Sequence, residues 1–432
     1  MLNKCEHIKK LISILTIFLF ASFVLFETYS WGRYAFLAAS LAIYVLGLWE
    51  RNDKIVLRFD MYVVIYLVFI AYVLLTALWA KSAMSTITMA RTLFRTFICA
   101  YIVYLYFVKE KDVSRLLRIL MWAGYVVAIY SIIFYGVDEL LKAGQDSSLR
   151  LDNEFSNVNS IAMCCALSCM IQANEFFEKR NRWTCLFLIP TIIVIAATQS
   201  RKALVFMIIG IFSAFIIKNQ NESLLKKVLK ILFGCIVALL IVYALLQLEI
   251  FSGIKERMDS LINSFTGSGK ADHSALIRER MIEIGWLTFL EHPIGGIGMS
   301  NSYFITQEYL GKQTYLHNNF VELLSCGGIF AFIFYYAIYG YLFYNLWKYR
   351  KADKKQAMFF AIWLLIMLVL DYGSVSYYSK DQNFYLMIHF VNVENLKRKA
   401  RKQQYANNKI CESTTQVYNG QKLPIFDKCK QR

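Results

Sequence analysis

The chain lacks the short motifs that many catalysts carry. None of its ten cysteines forms a C-x-x-C pair or a cysteine–histidine spacing suited to zinc. It has no paired carboxylate site and no Gly-Lys-Ser/Thr after its glycine-rich run, so a P-loop is excluded. Charge is scarce, at 18% of residues. Neither an internal repeat nor a low-complexity segment is present. No cysteine lies between Glu249 and Leu316, the longest polar stretch, and the others sit in apolar runs or basic termini. They read as small packing residues. Neither a disulfide, a metal nor another cofactor is expected.

What is present is hydrocarbon-seeking. Hydrophobic residues make up 58% of the chain and aromatic ones 16%, with a mean hydropathy of +0.44. A soluble protein of that balance would expose too much apolar surface. Apolar runs of about 16–20 residues with almost no internal charge mark membrane-spanning helices. The expected fold is an all-α polytopic membrane protein with about twelve transmembrane helices.

The first run, Leu11–Phe26, follows Lys4, Lys9 and Lys10 but has no A-x-A-like cleavage site, so an uncleaved helix is expected. Further spans read as Tyr34–Trp49, Met61–Trp79, Leu93–Val108, Ile119–Tyr135, Val158–Ala173 and Trp183–Ala197. Then come Ala203–Ile217, Ile231–Leu248, Phe320–Leu346, Ala357–Val375 and Phe384–Val393. Pro190 marks a local kink.

Basic residues crowd alternate turns and both termini. That set holds 32 of the 47 Lys and Arg, leaving 15 for the opposite side. Positive-inside bias therefore places both termini in the cytoplasm and the long loop 249–316, between the ninth and tenth spans, outside. Residues 1–396 form the membrane domain, and 397–432 are expected to be a disordered basic cytoplasmic tail beside anionic lipid. The net charge of +17 follows this pattern, and no basic stripe on a soluble domain suggests nucleic acid.

The outward basic residues are the informative minority. Arg201 sits in the short turn Thr198–Lys202 between two spans, where a guanidinium either snorkels to headgroups or offers its fork to phosphate. Arg278 and Arg280 lie on a segment, Ser274–Leu290, whose Ile277, Met281, Ile284, Leu287 and Leu290 have helical spacing. That spacing predicts an amphipathic helix on the membrane surface or on the bundle, with a solvated salt-bridged face as the plainer role for its arginines. Arg91 and Arg95, four apart on one helix face, would widen the same basic pocket.

His317 stands where the polar loop meets the next span, with Asn318 and Asn319 after it. It is either structural or a general base for a hydroxyl near neutral pH. Gly295, Gly296 and Gly298 permit close backbone approach and unusual dihedrals.

In their order these features resemble the superfamily of O-antigen ligases and Wzy-type polysaccharide polymerases. Ser200-Arg201 follows a span, and Arg278 precedes by about fourteen residues the turn His292-Pro293-Ile294-Gly295-Gly296-Ile297-Gly298. His317-Asn318 then heads a span containing Gly327-Gly328-Ile329, and Asn157 and Asn159 open an earlier one. The resemblance covers mainly 157–340. Where the family carries an aromatic four residues after the loop arginine, this chain has Ile282, which keeps Arg280 as an alternative to Arg278.

The resemblance implies a glycosyltransferase that needs no metal or nucleotide at the transfer step. It would move a glycan from an undecaprenyl-diphosphate-linked oligosaccharide to an acceptor glycan at the outer face of the cytoplasmic (inner) membrane. Arg201 and Arg278 would bind the diphosphate and His317 would take the acceptor proton. Arg280, Arg91, Arg95, Asn318, Gly296 and Gly298 would line the substrate site. A chain-length regulator and a flippase of the same pathway would be partners. Polymerase, ligase and O-oligosaccharyltransferase all fit, the first favoured by the lack of a large soluble domain, and a polytopic transporter is the alternative from another class.

Overall fold

The computed structural model describes residues 2–26, 29, 31–52, 54, 57–110, 113–146, 149, 151, 157–179, 183–266 and 273–418. Among them there is no strand. In chain order the helices begin with α1 (Leu2–Leu25), α2 (Gly32–Arg51), α3 (Met61–Leu75) and α4 (Ala83–Phe107). α5 (Ser114–Tyr135), α6 (Val137–Gln145), α7 (Val158–Lys179) and α8 (Leu188–Ala197) follow. Next come α9 (Arg201–Lys218), α10 (Leu224–Leu246), α11 (Ser252–Thr266) and α12 (His273–Glu291). The last are α13 (Ser302–Leu310), α14 (Asn319–Lys348), α15 (Lys354–Leu370) and α16 (Lys380–Tyr418).

Every expected span falls on a helix. Among the described residues, eight helices are long and apolar enough to cross a membrane: α1, α3, α4, α5, α7, α10, α14 and α15. The chain is a multi-pass membrane protein. The other four fall short for visible reasons. α2 carries Arg33, Glu50 and Arg51, and α9 carries Arg201, Lys202 and Lys218 in its 18 residues. The apolar stretch at α8 covers only Cys185–Ala197, and α16 is rich in charge.

α16 runs unbroken through Lys397, where the sequence suggests that order ends, and on to Tyr418. The ζ-ammonium of Lys399 donates to Asp353 at 2.7 Å and to Gln356 at 2.6 Å, which fastens the helix to the start of α15. The rest of the basic tail, 419–432 with Cys429, lies outside the described residues.

Helix starts follow local chemistry. Asp60, Ser82, Asn318 and Asp353 each accept a backbone N–H in the first turn of α3, α4, α14 and α15. Each such cap is worth about 1 kcal/mol. The two ends of the bundle differ in charge. At one end Arg58 pairs with Asp60 and Glu394, Arg51 and Arg115 share Glu110, and Lys397 meets Glu394 at 2.8 Å. The opposite end carries α6, α11, α12, α13 and the head of α14.

The amphipathic segment is indeed helical, as α12, but its apolar residues divide. Met281 and Ile284 are buried, whereas Leu287 and Leu290 are more than half exposed. The inward face continues through Gly285, where an added Cβ would lie 2.5 Å from Val321 and 2.6 Å from Leu316. α12 therefore seats on the head of α14.

α14 is broken at Gly328, whose φ is 65° and ψ −167°. The break strands backbone groups that a helix would satisfy, and buried orphans of this kind are costly. The turn at 293–298 supplies partners. Ile297 N–H donates to Ser325 O at 3.0 Å, Gly298 N–H to Cys326 O at 2.8 Å, and Ile329 N–H to Pro293 O at 2.9 Å. Tyr72 OH donates to Gly327 O at 2.8 Å.

No side chain fits between the two backbones. A Cβ on Gly296 would lie 2.3 Å from the Cys326 carbonyl carbon, and one on Gly328 would lie 2.1 Å from Ile294 O. Both glycines also have positive φ, which a side chain resists. Gly328→Ala should thus cost about 1–3 kcal/mol or more, read as a lower melting temperature in lipid nanodiscs. Gly340→Ala, where a Cβ meets nothing within 4 Å, should leave it unchanged or raise it.

Candidate active site at the head of α14

The approach to His317 is held from both sides. Thr306 Oγ1 donates to Thr314 O at 2.8 Å and accepts from Thr314 N–H at 3.0 Å, fastening the incoming loop to α13. Leu316 is fully buried, and its N–H donates to Glu322 Oε2 at 2.9 Å. The other oxygen of Glu322 accepts from Ser302 at 2.6 Å. After His317, Asn318 caps α14 by accepting from Val321 N–H at 3.1 Å. Asn319 Oδ1 accepts from Ser376 and Tyr377 N–H at 2.9 and 3.0 Å.

Asn319 also reaches Tyr336 at 3.0 Å and Asp371 at 3.4 Å, and Asp371 accepts from Tyr336 and Ser376. Between these anchors His317 takes φ +55°. For a residue other than Gly, Asn or Asp this is strained, and such strain persists only where the surroundings fix it. Two buried carboxylates, Glu322 and Asp371, hold the histidine in place through its neighbours.

The imidazole packs against Tyr315, ring centroids 4.1 Å apart. Partial burial, and after it the positive charges of Arg278, Lys202 and Lys312, push its pKa down to about 4. At neutral pH it is an uncharged proton acceptor surrounded by cations. Three segments supply them, two of them distant in sequence. Lys202 begins α9 and donates to Gly373 O. Arg278 lies half-buried on α12, and Lys312 is in the loop after α13.

The two α12 arginines have different surroundings. Arg278 faces His317, whereas Arg280 is exposed and paired with Glu283, the solvated-face role. Arg201 lies beside Lys202 and donates to Arg257 O at 2.6 Å. Arg257 in turn donates to Gln199 O at 3.2 Å. The turn is fixed by Gln199, whose φ is +51° and whose amide reaches Ala143 O and Asp146 O at 2.6 and 2.7 Å.

Gly296 and Gly298 approach a backbone closely, and that backbone is the broken α14, so they build the scaffold beside the site. Arg95 turns away from His317 and lines a narrow gap with Phe23, Phe36, Lys380 and Phe384, while Arg91 is exposed on α4. The helical spacing places both on one side of α4, but that side packs toward α1, α2 and α16.

Lys202, Lys312, Asn319, Glu322 and Asp371 carry weak sequence signals. Glu322 is an acid one turn into an apolar helix, and Asp371 is an acid at the end of another; nothing short of tertiary structure distinguishes Lys202 from Arg201. Among the described residues no group of three or more His, Cys, Asp or Glu converges as a metal site requires.

The electrostatics give a direct test. A nearby cation disfavours imidazolium, so Lys202→Ala and Lys312→Ala should each raise the His317 pKa from about 4 toward 6.5. Titration of ring-labelled histidine by NMR, with His317→Asn to assign the signal, reads this shift. Asn accepts positive φ where Ala resists it, so His317→Asn should also melt higher than His317→Ala, by about 1 kcal/mol of stability.

Comparison with curated proteins gives no match. Residues 186–336 match the family model described as O-Antigen ligase. The match runs from the last residues before α8 to Tyr336, taking in Arg201, Lys202, Arg278, Lys312, His317 and Glu322, and excluding α4 and Asp371. A membrane enzyme that processes glycans is the function class the match supports, and the matched segment is similar to the O-antigen ligase family.

Proposed function

We propose that this protein polymerises the repeat units of a surface polysaccharide. It transfers glycan from undecaprenyl diphosphate to a sugar hydroxyl of the acceptor at the outer face of the cytoplasmic membrane. The observation that carries the proposal is the neutral His317 ringed by Arg278, Lys202 and Lys312. A proton acceptor and a cluster of cations are what a hydroxyl nucleophile and a diphosphate leaving group require. The orientation rests on the 32 of 47 basic residues assigned to the other side.

In the transfer, the acceptor oxygen attacks the anomeric carbon while the bond from that carbon to the diphosphate oxygen breaks. The electron pair leaves with the diphosphate, and the hydroxyl proton passes to His317. Arg278 and Arg201 offer guanidinium forks to the phosphates, and Lys202 and Lys312 act as point charges. Two phosphates arriving beside the imidazole oppose the cations that depress it, so its basicity rises when donor binds. One displacement inverts the anomeric centre, and a product that kept the donor's configuration would sink this mechanism.

Ligation to a lipid A core or to protein would use the same chemistry on another acceptor. The polymerase reading is favoured because the segment between α10 and α14 is given over to α11, α12 and α13 rather than to a separate acceptor domain. Transport receives less support. Asp371, the acid that a transporter reading would use, is engaged by Asn319, Tyr336 and Ser376 at the end of the bundle.

Complementation of a deletion strain separates these readings. Wild type should restore a long glycan ladder. His317→Asn and Arg278→Ala, checked for membrane insertion, should lose it while a single attached unit remains, with transfer slowed about 10²–10⁴-fold. Loss of all attached glycan, with long polymer on the carrier, would mean a ligase. An unchanged ladder would sink the site.

A further inference from the structure

A second cavity, of about 280 Å³, opens over the first turns of α4. Its walls are Met84, Ser85, Thr88, Met89 and Thr92 on one side, and Ser300 and Tyr378 on the other. Positions 84, 85, 88, 89 and 92 share one helical face, so α4 contributes a continuous wall about 12 Å long. Five of the seven lining residues carry hydroxyls, and the rest are thioethers. A volume near the lower end of ligand pockets, with hydroxyls for hydrogen bonds and a ring and thioethers for C–H faces, suits an uncharged sugar. It suits neither a phosphate, for which no cation lines it, nor an acyl chain, which would leave the hydroxyls unsatisfied.

The hydroxyls are arranged unequally. Ser85 is held between Ser82 and Tyr303, at 3.1 and 3.0 Å, and Thr92 donates to Thr88 O at 2.9 Å. Among the described residues the Thr88 and Ser300 hydroxyls have no hydrogen-bond partner. Ser300 is moreover held at φ +62°, a strained conformation of the kind that collects at binding sites.

The cavity and the His317 site share their supports. Ser300 adjoins Asn301, which accepts from Ser82 N–H at 2.8 Å, and Ser302, which donates to the same Glu322 that holds Leu316. On the other wall, Tyr378 ends a stretch whose Gly373 accepts from Lys202 and whose Ser376 and Tyr377 bind Asn319. Five residues separate Gly373 from Tyr378, so at full extension the cavity's edge lies within about 18 Å of the carbonyl that Lys202 reaches.

We infer that the cavity over α4 is the acceptor subsite, where a sugar of the acceptor glycan is held while its hydroxyl reaches His317. This rests on the glycan-transfer reading above and adds the place from which the acceptor comes.

The test uses the full-length protein in nanodiscs. The probe is the oligosaccharide repeat released by mild acid from the source cell's own surface polysaccharide. Thr88→Trp fills the cavity from an exposed position, and Ser300→Gly removes a hydroxyl while relieving φ. Thr88→Trp should weaken saturation transfer to the probe and raise the acceptor KM, each about ten-fold. Binding of undecaprenyl diphosphate and the His317 titration should not change. Ser300→Gly should shift both readings the same way by less.

An active wild type whose Thr88→Trp variant binds the probe and uses acceptor unchanged would overturn the subsite and leave the transfer reading standing. Probe binding abolished by Thr88→Trp, in a protein that transfers no glycan from any polyprenyl diphosphate, would support the sugar site and overturn the transfer reading. A Thr88→Trp variant that loses bound phospholipid but no sugar affinity would make this a lipid site and overturn the inference.

Discussion

The break in α14 at Gly328 organises this molecule. A membrane bundle can interrupt a helix only where other protein groups satisfy the backbone set loose, and here the turn at 293–298 does so through three backbone hydrogen bonds. That requirement explains why the glycines stand where they do. It also explains why the loop before α14 returns to the bundle instead of extending into solvent. Once Pro293, Ile297 and Gly298 are bound to the middle of α14, α12 lies against its head and α13 beside it. His317 is then confined to a small space between them.

Charge is arranged by a similar economy. At one end of the bundle, acids and bases neutralise one another in pairs such as Arg58–Glu394 and Arg51–Glu110. At the other end, Lys202, Arg278 and Lys312 face a neutral imidazole, while the two nearby acids are turned inward to hold backbone and hydroxyls. Glu322 and Asp371 are buried with no ion pair among the described residues, and hydrogen bonds make their burial tolerable. What they secure is the backbone on either side of a strained histidine.

Much of this was legible in the sequence. Helix positions follow from apolar runs, the contrast between the two ends from basic turns, and His317 from its place where loop meets span. The glycines at 296 and 298 signal close backbone approach in the sequence, and the backbone they approach is a helix of the same chain. Arg91 and Arg95 show the limit of periodicity: it fixes the side of a helix but not what packs there. Lys202 and Lys312 carry no such signal because they meet Arg278 only through the fold, 76 and 34 residues away in the chain. The split face of α12 was hidden for the same reason, since periodicity cannot tell a residue packed on a neighbouring helix from one turned outward.

The length of α16 has a geometric consequence. A helix of 39 residues measures about 58 Å, and the hydrocarbon layer is about 30 Å thick. It starts at the end of the bundle that holds the His317 site and is pinned to the start of α15 at the other. Its last turns must therefore stand well clear of the lipid as a charged stalk. Whatever meets that tip is held at a fixed stand-off from the membrane surface and rigidly joined to the helix that begins two residues after Tyr378, on the wall of the cavity over α4.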